Sequence, residues 1–559
     1  MKNLPENIIG QANPFPYPFE TGLPMDLPDQ EDISRQANWF EDALSLDVYN
    51  SQSYRLRCLV NAIFREVEST IKMPNKDRSK ACLKQVLINL WLANLLDKPV
   101  RYSRDRGAYV SHRRYGRIYF KYDRLIPVID ALEAIGYVFQ KKGFFVNGQG
   151  YGRQARMWAT PKLLAYFVHH ALIAPGFFEK AQPVELIVLK DSDKHKTPVG
   201  YRETRQTRQM RQGLERYNEF VSRHKISVAL DSAVQISNRF LVEFMLNGIV
   251  QGRVQITSVV MYDSDYHRIN NTEVPSNSKL YYNTILHYTT ITQMFYAKRL
   301  MGKGLQHSVR DAEMLVKTLL EISRRASIIS AEKERKAFLD KRYPMAEIGV
   351  KHLEFRLTQE TLHRVFNRCS FKLGGRAYGA LYQRLPKGLR PYIRIDERKT
   401  IEVDFSAYHI RMLYHREGIE YQDDPYLVCG GEEMRKTFKA VGLIAINAKN
   451  ERSAYGAIRD EINANDLLWP MERKPLVWLV RTFRQAHKPI SQYLFSDIGL
   501  TLQNTDSQIM NAILMRLMDK GILGLSVYDS VIVAEQHKGV LQEIMTSAYE
   551  AVMGFTPRF

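Results

Sequence analysis

Two short stretches constrain this chain more than any others. Thr400 to Arg411 reads Thr-Ile-Glu-Val-Asp-Phe-Ser-Ala-Tyr-His-Ile-Arg. Apolar and polar residues alternate as far as Asp404, the period of a strand with one covered face. The pattern predicts that the strand stops at Asp404, that Ser406 caps a helix, and that this helix carries His409 and Arg411. Leu525 to Val533 reads Leu-Ser-Val-Tyr-Asp-Ser-Val-Ile-Val, an apolar, β-branched run interrupted by Asp529. A carboxylate held by buried strands is costly unless a cation meets it. The two strands therefore predict that Asp404 and Asp529 come together around divalent metal. Oxygen ligands with retained water suit Mg²⁺, with Mn²⁺ as a substitute. A metal pair about 4 Å apart is the usual device for in-line phosphoryl transfer. The alternative is a pair of capped or ion-paired core aspartates.

Charge narrows the partners. The 559 residues carry a net charge of +20, which favours a polyanion, most often nucleic acid, over a merely basic surface. A length of 559 predicts two to four domains, and 45% hydrophobic residues suffice for their cores. Cys58, Cys82, Cys369 and Cys429 are far apart and form no CxxC, so neither a disulfide framework nor a zinc site is expected. No apolar run approaches the roughly 18 residues of a membrane span. The N-terminus has no signal-peptide pattern, so a cytoplasmic location is expected.

Residues 1–53 read as a Pro-rich arm. Residues 54–175 follow the order helix, helix, strand, helix, hairpin. Helices are predicted over 81–96 and over 123–135, the second stopped by Gly136, with two strands (137–145 and 153–159) around Gly143, Gly148, Gly150 and Gly152. This order resembles a winged helix, in which a helix enters a groove and the hairpin touches phosphate. Positions 101–124 are densely basic, with tyrosines interleaved. Arg113, Arg114 and Arg117 there, and Arg153 and Arg156 on the wing, are the candidate nucleic-acid contacts. A small structural domain with a solvated basic face is the alternative. Residues 176–345 read as a helical, thumb-like connector, with charged helical stretches over 201–225 and 311–342 and a β-like stretch over 254–262.

From residue 346 the motifs become specific. Gly375-Arg376, Tyr382-Gln383-Arg384-Leu385-Pro386 and Leu389-Arg390-Pro391-Tyr392-Ile393 precede Val403-Asp404-Phe405-Ser406. Arg435-Lys436-Thr437-Phe438-Lys439, Leu502-Gln503-Asn504-Thr505 and Val527-Tyr528-Asp529-Ser530 follow in that order. This series resembles the palm and fingers of family A DNA polymerases over about 190 residues, with motif A at Asp404, motif B at Arg435 and motif C at Asp529. The resemblance implies a right-hand α/β (α+β) palm and fingers over 346–559. It also implies two Mg²⁺ ions held by Asp404, Asp529 and the Phe405 carbonyl, phosphate contacts from Arg435 and Lys439, and primer-template contacts from Arg376 and Gln503. Lys439 is further placed to protonate the pyrophosphate leaving group. Other positions depart from the family. His409 stands where a sugar-excluding glutamate is usual, Asn447 where motif B carries an aromatic, and Leu443 where a base-stacking aromatic is found. Leu443 to Lys449 is as similar to the phage-type single-subunit RNA polymerases as to the DNA enzymes, and Tyr528-Asp529-Ser530 resembles the RNA enzymes' motif more than the DNA enzymes'.

Together these features predict a DNA polymerase that takes nucleoside triphosphates and a DNA primer-template. RNA synthesis or priming is the second reading. A catalytically silent nucleic-acid-binding protein on the same fold is the third. No four-carboxylate exonuclease constellation is read in the first 345 residues, where Asp263-Ser264-Asp265 is a close acidic pair with loop-like flanks, so no proofreading is expected.

Overall fold

The computed structural model describes residues 43–262, 309–467 and 476–559, apart from short interruptions at 52, 71–72, 74, 97, 110–112, 116–118, 147–150, 170–178, 182–184, 193–195, 330–331 and 466. The Pro-rich arm to residue 42 and Asp263-Ser264-Asp265 lie outside the described residues.

The chain is mixed α and β. Its largest sheet has seven strands, in the order Val254–Met261, Val350–Leu357, Ile226–Asp231, Ile393–Ile395, Arg398–Asp404, Ser530–Ala534, Leu525–Val527. Every pairing in it is antiparallel. The sheet crosses position 346, where the sequence places a domain boundary. Strand Ile226–Asp231, assigned to the connector, lies between Val350–Leu357 and Ile393–Ile395. Its short run Ile-Ser-Val-Ala-Leu follows a charged helix, Arg205–Ser222, whose polarity conceals it in any window average. The long charged stretch over 311–342 is mostly two helices, Val309–Ile328 and Glu332–Asp340.

Leu525–Val533 is not one interrupted strand. It is a hairpin, with Val527 paired to Ser530 across the two-residue turn Tyr528-Asp529. The turn carries no glycine, although two-residue hairpins favour one. Tyr528 adopts φ +58°, a conformation that costs an aromatic residue about 1–3 kcal/mol. All eight strand residues of the hairpin are buried, and burial at ~1.5–3 kcal/mol per large apolar side chain readily holds the strained turn.

A second sheet joins Ser370–Tyr378, His363–Asn367 and Ile187–Leu189, and helix Gly499–Asp519 packs on it. Gly375 makes this fit possible. Its φ is +95°, and a Cβ there would lie 2.6 Å from the Phe366 ring and 3.0 Å from Ser507 Oγ on the helix. Helix Arg205–Ser222 ties the first half to the hairpin, the Tyr217 hydroxyl donating to the Gly524 carbonyl at 2.6 Å.

The N-terminal module has helices Tyr54–Thr70, Lys76–Leu95 and Tyr122–Ala134 on a four-stranded sheet ordered Leu44–Ser45, Val100–Tyr102, Ala155–Ala159, Val138–Lys141. A separate hairpin pairs Phe144–Val146 with Tyr151–Arg153. Among the described residues no helix is long and apolar enough to cross a membrane.

Candidate active site

Strand Arg398–Asp404 pairs with Ser530–Ala534 so that Asp404 lies opposite Ser530, the residue after Asp529. The Phe405 amide donates to the Asp529 carbonyl at 3.3 Å. The two aspartates thus close the same end of two adjacent strands. Burial pushes the Asp404 carboxyl up to about 6, and the nearby Asp529 charge pushes in the same direction. Lys387 and Lys439 oppose that shift and Glu402 adds to it. Glu402 itself is satisfied, by Arg390 Nη1 at 2.7 Å and by the Ser530 hydroxyl at 2.5 Å.

A paired carboxylate site with raised proton affinity is short of positive charge, which is the condition a divalent cation relieves. Two carboxylates and a carbonyl are few ligands, and among the described residues no group of three or more His, Cys, Asp or Glu converges. This set suits Mg²⁺, which keeps several waters, better than a metal that demands a full protein cage.

Helix Tyr408–Arg416 follows Asp404, and His409 and Arg411 lie on it. Ser406 is not its cap. The capping position is Ala407 at φ +46°, with no side-chain bond. The Ser406 amide instead donates to the Arg558 carbonyl at 2.8 Å, and Arg558 Nη1 donates to the Gln422 carbonyl at 2.7 Å. The Phe559 ring stacks on Phe405 at 5.6 Å. The last residues of the chain therefore brace the loop that carries Asp404.

Helix Gly431–Asn447 bears Arg435, Lys439, Leu443 and Asn447 at four-residue spacing. Lys439 and Leu443 are exposed. Arg435 is held by Asp424, whose Oδ2 accepts from Nε and Nη2, each at 2.7 Å. It can grip a phosphate only by exchanging that partner. Asn447 donates to the Leu443 carbonyl at 2.7 Å, and its Oδ1 sits where a Cβ on Gly499 would be 2.0 Å away.

Arg376 and His409, expected to meet primer-template and nucleotide, converge on a residue the sequence did not single out. Asp506, on helix Gly499–Asp519, is fully buried. It accepts from Arg376 Nε at 2.9 Å and Nη2 at 2.5 Å, and contacts His409 Nε2 at 2.9 Å. Arg376, Asp506 and Tyr528 line a small cleft with Arg364, Ser526 and Met510. Gln503, one turn earlier on the same helix, is half-buried. A signal for Asp506 existed, since Leu502, Ile509 and Ile513 share its helix face and a lone carboxylate on an apolar face needs a cation.

The candidate contacts of the N-terminal module divide differently. Arg114 Nη1 pairs with Glu185 at 3.2 Å and Glu203 at 2.9 Å, and its Nη2 donates to the Tyr201 carbonyl at 3.1 Å. Arg156 is 2% exposed within strand Ala155–Ala159. Neither is placed as the solvent-facing phosphate contact the sequence predicts, because both side chains are taken up by the fold. Arg117 and the side chains of Arg113 and Arg153 lie outside the described residues.

No family model matches the chain, and no curated protein matches it. Among solved structures it is similar to the POL domain of Pol1 from M. smegmatis, solved in complex with DNA primer-template and dNTP. The match has 13% identity and a TM-score of 0.22, and covers 49% of this chain and 54% of that one. This chain thus spans about half the length of the solved chain it matches, and at that level of superposition its own residues must supply the reading of its chemistry.

Proposed function

We propose that the chain is a template-directed nucleotidyltransferase, a DNA polymerase of right-hand type that extends a primer from nucleoside triphosphates. The observation that carries this reading is the pair Asp404 and Asp529, set side by side at the ends of adjacent strands, with Asp404 short of positive charge. Asp404, Asp529 and the Phe405 carbonyl would hold two Mg²⁺ ions, which supply charge neutralisation at the attacking 3′-oxygen and the triphosphate. Lys439 and Lys387 bring positive charge to the same site. Lys439 acts as a point charge on phosphate and as a proton donor toward pyrophosphate. Arg435 offers a forked grip on phosphate once it leaves Asp424. The order of motifs from Gly375-Arg376 to Tyr528-Asp529-Ser530 supports DNA as the product. The winged-helix order of residues 54–159 supports a duplex-binding role for the first half.

The test is primer extension on a DNA primer-template with Mg²⁺, in separate dNTP and rNTP reactions, beside Asp529→Ala. Extension with dNTPs alone, absent in the variant, is the expected result. Extension with rNTPs moves the protein to transcription or priming. Silence of the wild type in every reaction overturns the reading.

A further inference from the structure

Three elements from distant parts of the chain meet at one oxygen atom. Strand Ser370–Tyr378 brings Arg376, helix Tyr408–Arg416 brings His409 and helix Gly499–Asp519 brings Asp506. Asp506 Oδ2 lies 2.5 Å from Arg376 Nη2, 2.9 Å from Arg376 Nε and 2.9 Å from His409 Nε2. The carboxylate is fully buried, while Arg376 is 18% and His409 14% exposed, so the two basic groups reach solvent and the acid beneath them does not.

The chemistry of the contact fixes the histidine. A carboxylate can only accept, so at 2.9 Å the His409 Nε2 must carry the proton. The guanidinium can only donate, so the 3.3 Å approach of Arg376 Nη2 to Nε2 is that of two donors sharing one acceptor. In the neutral ring this leaves Nδ1 as the one acceptor, and no hydrogen bond engages it among the described residues. The imidazole is therefore set in both orientation and tautomer by a residue that is itself fully buried. Arg376 is set by the same oxygen.

We propose that Asp506 is the positioning residue for sugar discrimination. By holding His409 as a fixed Nε2–H donor and Arg376 beside it, it makes the group facing the incoming sugar and the group facing the primer terminus one rigid unit. The substrate feature read is the ribose hydroxyl pattern of a nucleoside triphosphate. This inference rests on the polymerase reading above, and it adds a residue that lies outside the motif positions on which that reading stands.

The experiment measures kcat/KM for a single dNTP and its matching rNTP in wild type, Asp506→Asn, His409→Ala and the double variant. Nitrogen-15 shifts of His409 in the histidine-labelled full chain, assigned by their loss in His409→Ala, report the tautomer. Wild type is expected to show the Nε2–H tautomer, and Asp506→Asn a mixture. The dNTP-to-rNTP ratio moves toward one by about tenfold in Asp506→Asn, the scale of one hydrogen bond. The double variant matches His409→Ala, because Asp506 acts through the ring. Equal losses for both sugars beside an active wild type overturn the positioning role alone, as does an unprotonated Nε2 in wild type. If Asp506→Asn does not fold, an unchanged ratio in His409→Ala overturns it. A wild type that incorporates neither sugar overturns the polymerase reading and the sugar role with it.

Discussion

The arginines of the N-terminal module and the cations around Asp404 look alike in sequence and behave differently in the fold. In the module, Arg104 is paired with Asp130 and Gln140, Arg106 with Asp123, and Arg114 with Glu185 and Glu203. Glu185 and Glu203 are shared with Arg211 of helix Arg205–Ser222. The Arg114 guanidinium also lies 4.0 Å from the centre of the Tyr201 ring. These side chains join segments of the fold together. Beside Asp404, Lys387 and Lys439 are exposed, and both act on an acid whose proton affinity is raised. Basic density in a sequence therefore does not locate a polyanion site. What locates one is positive charge left over after the fold's own acids are matched.

The largest effect expected from this contrast is at the aspartates. Asp404→Ala or Asp529→Ala removes one of the two carboxylates, and single-nucleotide incorporation should fall by at least about 10³-fold with little change in unfolding temperature. A loss of folding instead of activity would make the pair structural, like the arginines of the module.

Arg114→Ala should do the opposite. Glu185 is 6% exposed, but it keeps Arg211 at 3.1 Å, so the cost is that of a half-broken buried pair, about 1–2 kcal/mol. Denaturant unfolding reads it. The salt dependence of DNA binding should stay at the wild-type slope, whereas Lys439→Ala, which removes a charge aimed at the triphosphate, should lower kcat/KM for the nucleoside triphosphate. A flattened slope in Arg114→Ala with unchanged stability would erase the distinction between the two regions.

Phe559→Ala sharpens the comparison from the other end of the chain. The ring packs on Phe405, and an aromatic pair of this kind contributes about 1 kcal/mol beyond its buried area. Loosening the loop that carries Asp404 should lower kcat several-fold and leave the midpoint of the N-terminal module unchanged. An unaltered kcat would show that the Ser406 to Arg558 backbone bond alone holds the loop.

What the sequence carried was local. The strand ending at Asp404, the helix bearing His409, and helices near 76–95 and 122–134 follow from periodicity and from stop signals such as Gly136. Helix Gly431–Asn447 is expected from a resemblance at Arg435 to Lys439 and not from a period. What it did not carry depends on contacts between distant segments. Strand Ile226–Asp231 becomes central only because Val350–Leu357 and Ile393–Ile395 flank it. Arg376 and His409 were selected one by one, and the residue that binds them, Asp506, comes from 130 positions beyond Arg376. The Arg114 site likewise needs Glu203, 89 positions away. Charge pairing across such spans has no period to read.

The smallest effect is a pH dependence of metal stabilisation. Asp404 titrates near 6 in the fold, above its ordinary value near 4, so between those values the folded chain keeps a proton that the unfolded chain has lost. The Asp404 contribution to stability is thus present in full below about 4, and is lost as pH rises through 6, where the ionised carboxylate faces Asp529. Asp404 is open to solvent on one side, which screens the effect to under about 1 kcal/mol. A divalent cation restores the loss by matching the ionised pair. Mg²⁺ should therefore raise the unfolding temperature more at pH 7.5 than at pH 5, and the difference should vanish in Asp404→Asn. Among the described residues the arginine-rich module has no such site, so Arg114→Ala should leave the Mg²⁺ increment intact at both pH values. An increment that is equal at the two pH values in the wild type would mean that the cation binds somewhere other than at Asp404.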